Sequence, residues 1–153
     1  MKIVVTHPNI TSTIDNDYMC VPIQDLNKTP DSSCKSVNLA DCMDYVLYEE
    51  RDKLLEMAMS KIKHEGTLLI SGTDVYAIGR GINNGIVSLL QINTSLYKGR
   101  LSINSLSFYV DKINNSPHFE LINAKLDKLY YSLVAKRLWI PLVKIVALQF
   151  MMD

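Results

Sequence analysis

The segment "SVNLADCMDYVLYEERDKLLEMAMSKIKHEGTLLIS", residues 36–71, decides the fold. "SVNLAD" reads as a short strand that ends at Asp41. Residues 48–63 then place Leu54, Leu55, Ala58, Met59 and Ile62 at spacings of three and four, which is one face of a helix. Glu49 and Glu50 stand in its first turn and Lys61 and Lys63 in its last, signs that suit the helix dipole. The helix stops at "HEG", where Gly66 is expected to supply a left-handed cap. "TLLIS", residues 67–71, follows as a buried strand. A strand, a helix and a strand at this spacing form a right-handed crossover with parallel pairing.

On the N-terminal side, "KIVVT", residues 2–6, is a buried strand, and residues 8–17 are polar turn formers that read as loop. In "YMCVPIQDL", Met19, Val21 and Ile23 alternate with Cys20, Pro22 and Gln24. Pro22 cannot donate a ladder hydrogen bond, so the stretch is a short edge strand. On the C-terminal side, residues 72–85 and 86–99 read as helices stopped by Gly85 and Gly99. Residues 102–113 read as a helix capped by Ser102, with Ile103, Leu106, Val110 and Ile113 in one stripe. Residues 118–137 read as an antiparallel hairpin turning near Leu126–Lys128. Its alternation sets Phe119, Leu121 and Asn123 on one side and Glu120, Ile122 and Ala124 on the other. The expected architecture is one α/β domain over residues 1–137. Its sheet is mostly parallel, with "KIVVT" central beside "SVNLA" and "TLLIS" and the hairpin at the antiparallel edge. Residues 138–153 form an apolar tail with only Lys144, Gln149 and Asp153 charged or strongly polar. Three readings stand for it: packing on its own sheet or on a partner, including a second copy of the chain; peripheral membrane contact; or a recently acquired end.

A chain of 153 residues fits one domain able to bury a core. Lys plus Arg equal Asp plus Glu at 16 each, so there is no basic footprint for nucleic acid and no polybasic membrane signal. The tail is too short and interrupted for a transmembrane segment. Cys20, Cys34 and Cys42 are odd in number and widely spaced, neither a disulfide framework nor a zinc pattern. With His7, His64 and His118 also scattered, no metal site is expected. Sequons at Asn9, Asn93 and Asn114 read as chance matches. The N-terminus carries no apolar signal-peptide core, so a reducing, cytoplasmic setting is expected.

Asp41, Asp44 and Tyr45 lie just past a strand, at the sheet edge where ligands of open α/β sheets bind. The alternative is that the two carboxylates cap the next helix. "GTDVY", residues 72–76, follows the next strand at the same edge. Asp74 and Tyr76 there contact an acceptor, or Thr73 or Asp74 is an N-cap. "GRGINNG", residues 79–85, does not follow a strand directly and reads as a helix weakened and ended by glycines. Arg80 and Arg100 are candidates for an anion or simply solvated. His7 is the residue type after the first strand that exchanges protons near neutral pH.

The stretch from Asp41 to Arg137 resembles the C-terminal half of a class I S-adenosylmethionine-dependent methyltransferase. Three blocks carry the resemblance: "DCMDYVLYEERDKLLEMAMSKIKHEGTLLIS", "SINSLSFYVDKI" and the closing hairpin "FELINAKLDKLYYSLVAKR". The whole is also similar to short methyltransferase-like proteins of phage and environmental viral genomes. The resemblance implies a shortened Rossmann-like fold, S-adenosylmethionine as cofactor, and methyl transfer that rests mainly on alignment of the reactants. It implies His7, Asp25 and Asp41 as cofactor-binding residues, and Asp44, Tyr45 and Asp74 as catalytic ones. The departures fall in the first half. "KIVVTHPNITST" has the first strand without a Gly-x-Gly loop, and "MCVPIQD" offers Asp25 without the helix that should precede it. The later double glycine is Glu65–Gly66. The alternative function is a non-catalytic interaction or virion-associated protein that kept the fold.

Overall fold

The computed structural model describes residues 1–8, 17–97 and 100–139. Among the described residues the strands are β1 (Lys2–Thr6), β2 (Met19–Pro22), β3 (Cys34–Ala40), β4 (Ile62–Thr73), β5 (Phe119–Asp127) and β6 (Tyr130–Arg137). The α-helices are α1 (Arg51–Lys61), α2 (Val75–Asn83), α3 (Leu89–Tyr97) and α4 (Leu106–Asn114). Short 3-10 turns cover Ile23–Lys28, Cys42–Tyr45 and Tyr48–Glu50. The loop expected over residues 8–17 falls largely outside the described residues, as do the Gly99 stop and all but the first two residues of the apolar tail.

One sheet holds all six strands in the order β2-β1-β3-β4-β6-β5. β1 pairs in parallel with β2 and β3, and β3 with β4. β6 pairs antiparallel with both β4 and β5, so the hairpin forms the antiparallel edge. β2 is the edge strand that Pro22 demands. β1 does not touch β4, against expectation: β3 lies between them and takes the central position.

Register explains the core. Ile3 pairs with Val37, Val37 with Leu68, and Leu68 with Ala135, a row that crosses the sheet on one face. Leu39, Ile70 and Leu133 form the next row. All seven are at most 1% exposed. The opposite face carries Ser36, Asn38, Thr67, Ser71 and Ser132, and none of these belongs to the buried apolar cluster. α1 closes the core with Leu54, Leu55 and Ala58, and α4 with Tyr109 and Ile113. Each fully buried aliphatic side chain contributes about 2 kcal/mol. The two helices touch: Arg51 lies 3.8 Å over the Phe108 ring, and Lys112 pairs with Asp52 at 2.7 Å.

Three local expectations are corrected. α1 ends at Lys61 and β4 starts at once, so Gly66 is a strand residue and not a helix cap. A Cβ there would stand 2.8 Å from the Lys63 carbonyl oxygen and 3.0 Å from that of Lys35, so close backbone packing is what requires glycine. The left-handed residue of this bend is Glu65, at φ 64°. α4 starts at Leu106, capped by Ser105, whose Oγ accepts from the Phe108 N–H at 3.3 Å. Ser102 is instead tied to the Met43 carbonyl, and Ile103 is 55% exposed, off the buried stripe. In β5 a bulge between Leu121 and Asn123 reverses the alternation. Asn123 faces Val134, whereas Ala124 faces the buried Leu133. The other stops hold: Gly85 has φ +66° just past α2, and the hairpin turns at Lys128, φ 53°.

Candidate functional site

The order in which the parallel strands are added to the sheet reverses between β1 and β3. β1 leads outward to β2 on one side, and the chain then returns to β3 on the other. Such a switch point opens a crevice at the carboxyl ends of the strands. β1 delivers His7 there, and β3 delivers the turn Cys42–Tyr45. The turn is set by Asp41, which takes a left-handed φ of 56° at the strand end. His7 and Tyr45 stack across the crevice with centroids 5.1 Å apart and planes 13° apart.

A cleft of about 430 Å³ lies against this pair. Ile23 and Gln24, from the turn after β2, form one wall. Val46, Leu47, Leu54, Met57 and Leu101 supply an apolar lining. Glu50 and Lys53 also line it. Leu47 and Leu101 are 48% and 55% exposed and form an open rim.

Of the residues expected at the site, the structure brings His7 and Tyr45 together in the cleft. Asp25 sits one residue beyond Gln24 and pairs with Lys28 at 2.6 Å. Asp41 is half-buried, and burial pushes its carboxyl up against the pull of Arg100.

Asp44 is 1% exposed and belongs to a buried network. Arg100 pairs with it at 2.8 Å, and the Asn104 amide donates to its other oxygen at 2.6 Å. Burial raises this carboxyl, opposed by Arg100 and Asn104. Its backbone carbonyl accepts from the Leu101 and Ser102 N–H groups at 2.9 and 3.2 Å. The segment 100–104 therefore clamps the turn that presents Tyr45. Asn104 extends the network, accepting from Arg51 at 3.1 Å and from the Tyr109 hydroxyl at 2.8 Å. Arg100 is largely engaged inside the protein, since it also donates to the Thr73 hydroxyl.

Asp74 is the N-cap of α2 and accepts from the Ala77 N–H at 2.7 Å. Its second oxygen accepts from the Leu106 N–H at 2.8 Å, which joins α2 to α4. The capping alternative thus describes Asp74, while Asp44 caps no helix and ties two segments together. Both carboxylates are held inside the structure. Tyr76 and Arg80 are exposed on α2.

Sequence patterning did not single out Gln24, Glu50, Lys53, Met57 or Leu101 as cleft residues. Glu50 reads as a first-turn acid of a helix, and Leu101 lies far from the others in the chain. Among the described residues no group of three His, Cys, Asp or Glu is placed to hold a metal, and no helix is long and apolar enough to cross a membrane.

No protein-family model matches the sequence, and no curated protein matches it. Solved structures do match the fold. An O-methyltransferase family protein from Burkholderia thailandensis superposes with a TM-score of 0.55 at 15% identity, over 79% of this chain and 35% of that one. A SAM-dependent methyltransferase from Archaeoglobus fulgidus gives 0.51 at 15% identity, over 77% of this chain and 67% of that one. The 1,6-didemethyltoxoflavin-N1-methyltransferase of Burkholderia thailandensis gives 0.52 at 10% identity, over 80% and 51%. The chain thus spans from about a third to two thirds of the length of these neighbours. It has a class I S-adenosylmethionine-dependent methyltransferase-like fold.

Proposed function

We propose that the chain binds S-adenosylmethionine in the cleft between β1 and β3 and transfers its methyl group to an acceptor entering over Leu47 and Leu101. The position of the cleft carries this reading: it opens at the strand reversal, walled by residues that follow β1, β2 and β3. The Burkholderia neighbour with bound S-adenosylhomocysteine supports the choice of cofactor.

The residues present fit the group. The cleft volume of about 430 Å³ falls within the range of small-molecule sites. Its apolar lining and the His7–Tyr45 faces suit an adenosyl ring. Asp25 and Asp41, past β2 and β3, do not line the cleft itself, and in this reading they would meet the cofactor's hydroxyls from beside it. When bound, S-adenosylmethionine supplies an electrophilic methyl on a sulfonium. The chain's own residues would hold the cofactor in the cleft and align its methyl with an acceptor at the rim of Leu47 and Leu101. Asp44 and Asp74 act as positioning residues, holding the Tyr45 turn and the base of α2.

A non-catalytic binder is the second reading. Two observations favour it: residues 1–65 contain no glycine, and Asp44 and Asp74 are fixed in structural bonds. Calorimetric titration with S-adenosylmethionine and S-adenosylhomocysteine tests both. Saturable binding of both is expected, and no heat at millimolar ligand sinks the cofactor reading. Binding without methyl transfer to any of a broad set of acceptors favours the second.

A further inference from the structure

We infer that Glu50 and Lys53 hold the ammonium and the carboxylate at the amino-acid end of the cofactor, in place of a glycine-rich loop. The inference rests on the cofactor reading above. Both residues line the cleft and both are exposed. They stand three residues apart across the entry of α1, so they project to the same side. Neither forms an ion pair with another described residue, in a structure where Lys2, Lys28, Lys61, Lys112 and Lys136 all do. No other residue lining the cleft is Asp, Glu, Lys or Arg.

An amino-acid group carries one positive and one negative charge. A glycine loop would meet the negative one with backbone N–H groups. After β1 this chain has His7 and then Pro8, which has no N–H to donate. One carboxylate and one ammonium on neighbouring positions of a helix entry supply the complementary charges, and charge-assisted bonds of this kind are the strong ones.

The test compares S-adenosylhomocysteine with 5′-methylthioadenosine, which has the same adenosyl and thioether groups but no amino-acid part. Calorimetry on the wild type should show S-adenosylhomocysteine binding tighter by about tenfold. Glu50→Gln and Lys53→Met should each remove that preference and leave methylthioadenosine binding and the melting temperature unchanged. Equal wild-type affinities for the two ligands, or variants that keep the preference, overturn the inference and leave the cofactor reading standing. Failure of both ligands to bind the wild type overturns the two together.

Discussion

The imidazole of His7 and the phenol of Tyr45 lie face to face, 5.1 Å apart and 13° from parallel, one from the end of β1 and one from the turn after β3. Both rings line the cleft where the strand order reverses, so one aromatic pair reports on both the fold and the site.

If this pair receives a ring, His7→Ala and Tyr45→Ala each weaken S-adenosylhomocysteine binding by about fivefold, the worth of one aromatic contact. Both residues sit outside the buried apolar cluster, so stability in urea should fall only by the worth of the lost stack, about 1 kcal/mol. Unchanged affinity in both variants would place the ligand elsewhere.

Asp44→Ala is expected to lower stability by about 3 kcal/mol, because it leaves a largely buried Arg100 without its partner. Asp44→Asn should cost less, since the amide still accepts from Asn104. Urea unfolding of the two variants gives the comparison. A loss below about 1 kcal/mol for the alanine variant would show that the clamp is weak.

Two glycines should respond with opposite signs. Gly66→Ala drives a Cβ against two backbone carbonyls and is expected to destabilise by about 2 kcal/mol. Gly79 lies inside α2 with nothing within 4 Å of the added atom. Gly79→Ala should therefore stabilise by about 0.5 to 1 kcal/mol, through helix propensity. Thermal melts of both variants check the pair.

Burial beside Asp41 and Asp44 pushes the Cys42 thiol from 9.0 up to about 12. A raised value means the folded state holds this proton longer than the unfolded chain. The stabilisation is complete below pH 9.0 and declines as pH rises toward about 12, by about 1.4 kcal/mol per pH unit. Tyr109 and Tyr131 are raised by burial too, from 10.0, so they add to the fall as pH approaches 10.0. The cysteine's share is the difference between variants: from pH 9.0 to 10.0 the wild type should lose about 1 kcal/mol more stability than Cys42→Ala. At pH 8 a thiol reagent should modify the exposed Cys20 and reach buried Cys34 and Cys42 only in denaturant.

The elements were largely legible because each is written in a local pattern. The apolar face of residues 54–62 and the runs "KIVVT" and "TLLIS" give α1, β1 and β4 without reference to the rest of the chain. Where a local pattern competes with a distant contact, the reading slips. Ser102 has the chemistry of a cap, yet Met43 takes its hydroxyl, and the cap falls three residues later at Ser105. Gly66 has the chemistry of a helix stop, yet the carbonyl of Lys35, a residue on β3, needs its missing side chain.

The sequence by itself determined the parallel crossover, the closing hairpin and the lack of a glycine loop after β1, since periodicity and residue type settle these within short windows. Tertiary structure alone decided which polar groups meet. Asp44 could belong to a pocket or a clamp until Arg100 and Asn104 reached it across 56 and 60 residues of chain. His7 became part of a site only when β3 packed beside β1 and set Tyr45 against it. A carboxylate in a strand-end turn reads alike in sequence whether it will face solvent or an arginine, and burial and pairing settle the difference.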